Sequence, residues 1–259
     1  MFPNSFRPGI GMAPRRESQR PHLPRHSRHC PVLEDGSALG FLVYPALAPH
    51  ESFHVEYQGD GHYQLVYLLK NLEGQWQPVF SFSLTMPMGG VGMMKEDVAF
   101  MTDKAPMSRE DAVKMARAFI IPEDCGTPPG AIALRGATNF QTPEGWDTVY
   151  TPVFNHIDRP VAPMMVVRVE TDWYAHGTEF RYVLQPGEGI SGAHNMPIGQ
   201  VVFVPREEIT MRDCTKEELT AIYDSMKEFA REKASMSQET PLGLHHSPAY
   251  SRRSREKKG

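Results

Sequence analysis

Residues 52–69, SFHVEYQGDGHYQLVYLL, decide the fold class. In residues 52–58, aromatic and aliphatic side chains alternate with polar ones, which is the period-2 pattern of a half-buried strand. The following Gly59-Asp-Gly61 accepts the positive φ angles of a tight turn, and residues 62–69 return as a second arm. The segment therefore predicts an antiparallel β-hairpin.

Further strands are predicted on both sides of this hairpin. An apolar run precedes it at 41–44, and residues 77–84 continue it as a meander. A second β-rich block lies between Gly- and Pro-rich turns, with predicted strands at 131–134, 138–141, 147–150, 164–170, 179–184 and 198–204, and residues 187–197 are expected to be a loop. Because the strands do not alternate with helices, a sandwich or barrel is favoured over a doubly wound parallel sheet.

Two helices are predicted beside the strands. One begins at Ser108, and its apolar residues are spaced to form one stripe: Ala112, Met115, Ala116 and Phe119. The other begins at Thr215 with a capping box completed by Glu218, and its expected buried stripe is Leu219, Ile222, Met226, Phe229 and Ala230. We therefore expect a mainly β protein, an antiparallel β-barrel or sandwich with two peripheral α-helices.

The two ends of the chain are basic. Residues 1–30 carry six arginines and one glutamate, and residues 243–259 carry five basic residues and one glutamate, although the whole chain has a net charge of −4. Because these ends have few apolar residues for a core, disordered basic termini are expected at 1–30 and 236–259. A single domain would span 31–235, and the tails would be free to contact an acidic surface.

Several classes of protein are disfavoured by composition. Three widely spaced cysteines suggest neither a disulfide framework nor a zinc site. The chain has no apolar run of the roughly 18 residues that a membrane helix needs, and its start does not resemble a signal peptide. A cytoplasmic protein without membrane contact is therefore expected, and a homo-oligomer is compatible with the sequence.

The densest group of polar and aromatic residues lies at 169–177. Asp172, Trp173 and His176 lie there between two predicted strands, where binding sites are often placed. The alternative is a plain hairpin turn in which Trp173 caps the core and Asp172 accepts backbone N–H groups. Other candidate ligand-binding residues in loops are Trp146, Asn155 and His194.

Two motifs in the second block carry a family resemblance. Thr142-Pro-Glu-Gly-Trp146 and Glu170-Thr-Asp-Trp173 resemble the Thr-Pro-x-Gly-Trp and Glu-Thr-Asp-Trp motifs of a family of uncharacterised bacterial and phage proteins. The resemblance spans roughly residues 30–210 and departs from the family pattern at Thr151-Pro-Val-Phe154. Because that family has no assigned activity, the resemblance implies a domain of unknown function and no chemistry.

A weaker resemblance concerns the last predicted strand. Pro197–Pro205 is similar to the closing strand of the dUTPase and dCTP deaminase barrels, and Glu170–Trp173 is similar to their sugar-holding segment. The arginine–serine phosphate motif and the glycine-rich C-terminal arm of those enzymes are missing, so phosphate chemistry lacks its charge clamp. This resemblance implies kinship at the level of the barrel only.

A metal site is a further hypothesis. His156-Ile-Asp158 with His194 has the composition of a facial triad for non-haem iron, and His176 and Glu179 with His194 could form a cupin-like set. The cofactor is otherwise unknown, and so are any catalytic residues.

Three functions follow from these patterns. The leading one is a binding or accessory module that holds a small ligand or a partner segment at the candidate loop residues. The alternatives are a cupin-type metal-dependent oxygenase, which needs three ligands around one point, and a phage-derived structural or assembly protein, which needs an exposed apolar or self-complementary face.

Overall fold

The structure is a computed structural model and describes residues 1–20, 23, 30–87, 93–102, 107–121, 128–156, 163–239, 243 and 245–258. It is mainly β, with 37% of residues in strands and 21% in helices. The helices are α1 (Pro31–Ser37), α2 (Arg109–Phe119), α3 (Lys216–Ser235) and α4 (Ala249–Lys258). The strands are β1 (Phe2–Pro3), β2 (Phe41–Val43), β3 (Glu51–Gly59), β4 (His62–Lys70), β5 (Trp76–Thr85), β6 (Lys95–Phe100), β7 (Ile120–Ile121), β8 (Ala131–Arg135), β9 (Thr138–Asn139), β10 (Trp146–Thr151), β11 (Met164–Met165), β12 (Val167–Val169), β13 (Glu179–Val183), β14 (Gly189–Ala193), β15 (Gly199–Pro205), β16 (Gln238–Glu239) and β17 (His245–His246).

The chain divides into two compact units, Met1–Arg206 and Glu207–Gly259. The first unit contains three larger antiparallel sheets, with strand orders β14-β3-β4-β5-β6, β12-β10-β15-β2 and β11-β13-β8-β7. The described strands form open sheets and do not close into a barrel. The predicted hairpin is confirmed as β3 and β4, where Asp60 has a φ of 49° in the turn.

The three sheets of the first unit share one core. Phe53 of β3 stacks on Phe119 at the end of α2, with ring centroids 5.1 Å apart, and Tyr67 of β4 lies 6.0 Å from the same ring. Tyr150 of β10 meets Phe180 of β13 edge to face at 5.7 Å. These contacts bury the alternating apolar residues of β3 and β4, so the period-2 pattern of the predicted hairpin corresponds to one side of its sheet.

The helix predicted at Ser108 is confirmed as α2. Ser108 Oγ accepts the backbone N–H of Asp111, and the predicted stripe turns inward, with Ala112, Ala116 and Phe119 buried. The helix therefore covers part of the sandwich core.

One strand occupies a stretch expected to be a loop. β14 pairs with β3 between Gly189 and Ala193, inside the glycine-rich segment 187–197. Its glycines are needed for close packing: a Cβ on Gly189 would lie 2.6 Å from the His54 ring, and a Cβ on Gly192 would lie 2.3 Å from Phe53. The local composition predicts a turn, whereas pairing with β3 makes a strand.

The first twenty residues belong to the first unit and differ from the disordered tail expected for 1–30. Arg7 donates two hydrogen bonds to the Glu51 carboxylate, at 2.7 and 2.8 Å, and Tyr67 donates a third at 2.7 Å. Arg20 is buried and donates to the carbonyls of Ser37 and Phe154 at 2.7 and 3.0 Å. The unit thus begins at Met1 rather than at 31, because basic residues of this segment satisfy buried acceptors. Residues 21–22 and 24–29 lie outside the described residues.

The second unit contains α3, the β16–β17 pair and α4. The predicted capping box at Thr215 and Glu218 is confirmed. Two expectations need correction: the tail predicted at 236–259 includes a strand pair and a helix, and no residue of α3 is buried. The domain boundary falls after Arg206, not at 235. Among the described residues, no helix is both long and apolar enough to cross a membrane.

Candidate functional site

The two sequence motifs meet at one edge of the sheet formed by β12, β10, β15 and β2. Thr171 Oγ1 lies 2.9 Å from Thr142 Oγ1 and 2.7 Å from Thr148 Oγ1, and Thr171 is buried. Thr142 Oγ1 also donates to the Trp146 carbonyl at 2.6 Å. These hydroxyls tie the 142–146 turn to the 170–173 turn, so the motifs form a single structural element.

Asp172 holds the same junction through ionic contacts. Its Oδ2 accepts the Gly145 N–H at 3.0 Å, and its Oδ1 accepts Arg206 Nη2 at 2.8 Å. Arg206 also donates to Asp147 at 2.5 and 3.0 Å, and Arg168 donates to the other oxygen of Asp147 at 2.6 Å. Both carboxylates therefore have partners inside the protein.

The arginine contacts set the charge of these acids. Hydrogen bonds from Arg206 hold the pKa of Asp147 and of Asp172 below the usual range, although desolvation of each carboxyl acts in the opposite direction. The pKa of Arg206 is raised in turn, first by Asp147 and then by Asp172. Carboxyl groups whose pKa is lowered in this way stay ionised near neutral pH. They are therefore suited to holding the arginines in place and poorly suited to transferring protons.

Aromatic side chains point outward from this junction. Trp173 is 70% exposed, Tyr174 is 48% exposed and Trp146 is 41% exposed. Trp173 and Tyr174 have ring centroids 5.7 Å apart, and Tyr174 stacks on His176 at 5.2 Å. We call Trp146, Trp173, Tyr174 and His176 the aromatic surface. Trp146 is included because the 142–146 turn that carries it is hydrogen-bonded to Asp172 through the Gly145 N–H.

The aromatic surface is held in place at both ends. The Trp173 indole N–H donates to Glu170 Oε2 at 2.5 Å, and the Trp173 backbone N–H donates to Asp172 Oδ1 at 3.0 Å. His176 Nε2 lies 3.0 Å from Glu179 Oε1, and Glu179 also accepts Arg181 at 2.9 Å. The rings of Trp173 and Tyr174 are thus exposed, while hydrogen bonds and an ion pair hold the residues on either side of them.

Asn155 does not belong to this surface. It has a φ of 57°, and its Nδ2 donates to Ser37 Oγ at 3.0 Å and to the Leu33 carbonyl at 3.3 Å. The side chain thereby fixes α1, and Asn is one of the few residues that adopts this left-handed backbone readily.

His194 lies at a third place, after β14. Its Nδ1 is 2.6 Å from the Leu47 carbonyl, and since a carbonyl only accepts, Nδ1 is the donor. This contact fixes the loop after β14. The six candidate ligand residues thus separate into the aromatic surface with Asp172, the α1 contact at Asn155 and the loop contact at His194.

Among the described residues, no three His, Cys, Asp or Glu side chains come together as a metal site, and His176, Glu179 and His194 are within that part of the chain. Asp158 lies outside the described residues, so the set His156, Asp158 and His194 stays a prediction.

Three residues of this surface and its supporting junction were not among the predicted residues. Tyr174 lies inside the polar and aromatic cluster, and its position next to Trp173 was a usable signal. The sequence signal for Arg206 and Arg168 was weaker, because it consists only of an acid, Asp147, in a predicted strand. The structure buries this side chain to 2% exposure, and a buried acid needs a basic partner. Which arginine supplies it depends on strand pairing, which the local sequence does not contain.

No model of a protein family, no curated protein and no solved structure matches this chain.

Proposed function

We propose that the protein is a non-enzymatic binding module whose aromatic surface holds a small ligand or a partner segment. The observation that carries this proposal is the exposure of Trp173, at 70%, beside Tyr174 at 48%. Large aromatic rings contribute much of the free energy of binding when they are buried by a partner, and Trp and Tyr dominate such contacts.

Rigidity of the loop supports the proposal. Thr171 and Asp172, on the N-terminal side of Trp173, are bound to the 142–146 turn, and Glu170 holds the indole N–H. A partner would therefore meet rings that are already ordered, and the entropy lost on binding would be small.

The surrounding charge favours one class of ligand. Glu144 and Glu170 are exposed near the rings, whereas Arg168 and Arg206 donate to Asp147 and Asp172. A phosphate-bearing ligand would meet carboxylates and arginines that are already engaged. A neutral or positively charged ligand, such as a saccharide or a segment containing Lys or Arg, fits better because rings and carboxylates both attract cations.

The test is a binding screen with two tryptophan variants. The full chain is titrated with saccharides, Lys- and Arg-containing peptides and nucleotides, and affinity is measured by calorimetry. Trp173→Ala should weaken the affinity for the bound ligand at least about tenfold. Trp76→Ala is the matched control, because Trp76 is 41% exposed on β5 and contacts Lys70 instead. Equal affinity of the Trp173→Ala variant and the unchanged protein would contradict the proposal.

A structural or assembly role has a separate observation in its favour. Such a protein needs an exposed apolar or self-complementary face, and the second unit carries one on α3. The cytoplasmic location stays part of the proposal.

A further inference from the structure

We propose that α3 binds the α3 of a second copy of this chain, and that the two helices are antiparallel. The surface involved consists of Leu219, Ile222, Tyr223 and Met226, which we call the α3 face. These side chains are 41%, 46%, 52% and 61% exposed. The inference does not use the aromatic surface and stands independently of the proposed function.

The spacing of the α3 face is that of a helix pair. Leu219, Ile222, Met226 and Phe229 follow intervals of three, four and three residues, which place one apolar seam along the helix. An apolar seam of this length is stable in water when another helix covers it.

The chain's own α4 covers only the far end of this seam. Arg253 lies over the Phe229 ring at 5.0 Å and pairs with Glu232 at 2.5 Å. The α3 face precedes these contacts, and it extends onto Met211, since Met211 and Ile222 line one open cavity of about 650 Å³. The exposed part of the seam therefore runs from Leu219 to Met226.

Charge favours a second copy as the occupant. Residues 207–224 hold two basic and six acidic residues, a net charge of −4, whereas residues 225–259 hold eight basic and four acidic residues, a net charge of +4. An antiparallel pair places the acidic half of each copy beside the basic half of the other. A parallel pair would place like charges together, so the antiparallel arrangement is the complementary one.

Sedimentation equilibrium of the full chain over a concentration series tests the pairing. The unchanged protein should dimerise, and Ile222→Lys should weaken the dimer about 100-fold, because both copies lose a buried isoleucine. Glu228→Gln is the control: it removes a negative charge on the opposite side of α3, so it changes the net charge by the same +1 as Ile222→Lys, and it should leave the dissociation constant unchanged. Circular dichroism confirms that both variants keep the helix. Raising the salt concentration should weaken the dimer.

Cys214, which is exposed just before α3, reports the orientation. In a Cys30→Ser, Cys125→Ser background, an antiparallel dimer holds its two Cys214 residues about 25 Å apart along the helix pair, and mild oxidation should give no crosslink. Rapid Cys214 crosslinking within the dimer would overturn the antiparallel arrangement. A monomer at every concentration, or an Ile222→Lys dimer as tight as the control, would overturn the pairing and leave another part of the chain or a different protein as the cover.

Discussion

At the scale of single residues, the Glu-Thr-Asp-Trp motif contains residues that stabilise the fold and a residue that is exposed on the surface. Thr171 and Asp172 point into the junction with the 142–146 turn, while Trp173 points outward. The prediction that Asp172 accepts backbone N–H groups is confirmed by its bonds from Gly145 and Trp173. The prediction that Trp173 caps the core is wrong, because its ring is largely exposed.

The Asp172 contacts predict a dependence of stability on pH. Because the folded pKa of Asp172 is lowered, mainly by the Arg206 hydrogen bond, its contribution to the free energy of unfolding is complete above the unfolded pKa of about 3.9 and is lost as the pH falls through the folded pKa. Asn at this position does not titrate. Asp172→Asn should therefore give a protein whose stability falls less steeply below about pH 4, measured by denaturant unfolding at a series of pH values.

Asp60→Asn is the control for this measurement. Asp60 is exposed in the β3–β4 turn, where Asn tolerates its positive φ, and the variant should keep the full steepness. Identical pH profiles for all three proteins would show that the Asp172 contacts do not change the proton balance of folding.

At the scale of elements, the sequence predicted those strands and helices whose pattern and end signals lie within a few residues of each other. The β3–β4 hairpin and both helix starts are visible because period, turn and capping chemistry lie within a few residues. The β14 strand was not visible, since only its pairing with β3 distinguishes it from a Gly-rich loop. For the site, the aromatic cluster was predicted by composition, whereas the dependence of Asp147 and Asp172 on Arg206 required the pairing of β10 with β15.

Helix α2 gives a prediction at this scale. Ser108→Ala removes the acceptor for the Asp111 N–H and should lower the free energy of unfolding of the first unit by about 1 kcal/mol, because α2 carries Phe119 into the core. Ser108→Gly should cost only a few tenths of that value. Urea unfolding followed by tryptophan fluorescence measures both.

The matching cap on α3 is the control. Thr215→Ala removes the equivalent bond to Glu218 in the second unit and should reduce helicity there without moving the first unit's transition. If Ser108→Ala and Ser108→Gly unfold alike and at the original midpoint, the cap does not contribute to stability.

At the scale of the whole molecule, the charge pattern along the sequence was misleading about the N terminus. The six arginines in residues 1–30 suggest a solvated tail, but Arg7, Arg15 and Arg20 bind groups from distant strands and loops. The number of charged residues in a segment does not show that Glu51, elsewhere in the chain, is a buried acid that needs a basic partner.

Arg7 therefore predicts a large effect from a residue near the start of the chain. Arg7→Ala leaves the Glu51 carboxylate buried without its cation and should destabilise the first unit by about 3 kcal/mol in urea unfolding. Arg16→Ala is the control, since Arg16 is exposed and only stacks on the Phe41 ring at 4.9 Å. If both variants lowered the free energy of unfolding by a similar amount, the Arg7–Glu51 pair would contribute no more to stability than an exposed arginine does.

The buried Arg20 also links the fold to its own synthesis. Its partner carbonyl on Phe154 is 134 positions away, and its contact with the Gln200 side chain spans 180 positions. At about 5 to 20 residues per second, a ribosome needs roughly 7 to 36 seconds to cover these two distances. During that interval Arg20 is already part of the chain but lacks its partners, because the Phe154 carbonyl and the Gln200 side chain of β15 are added later.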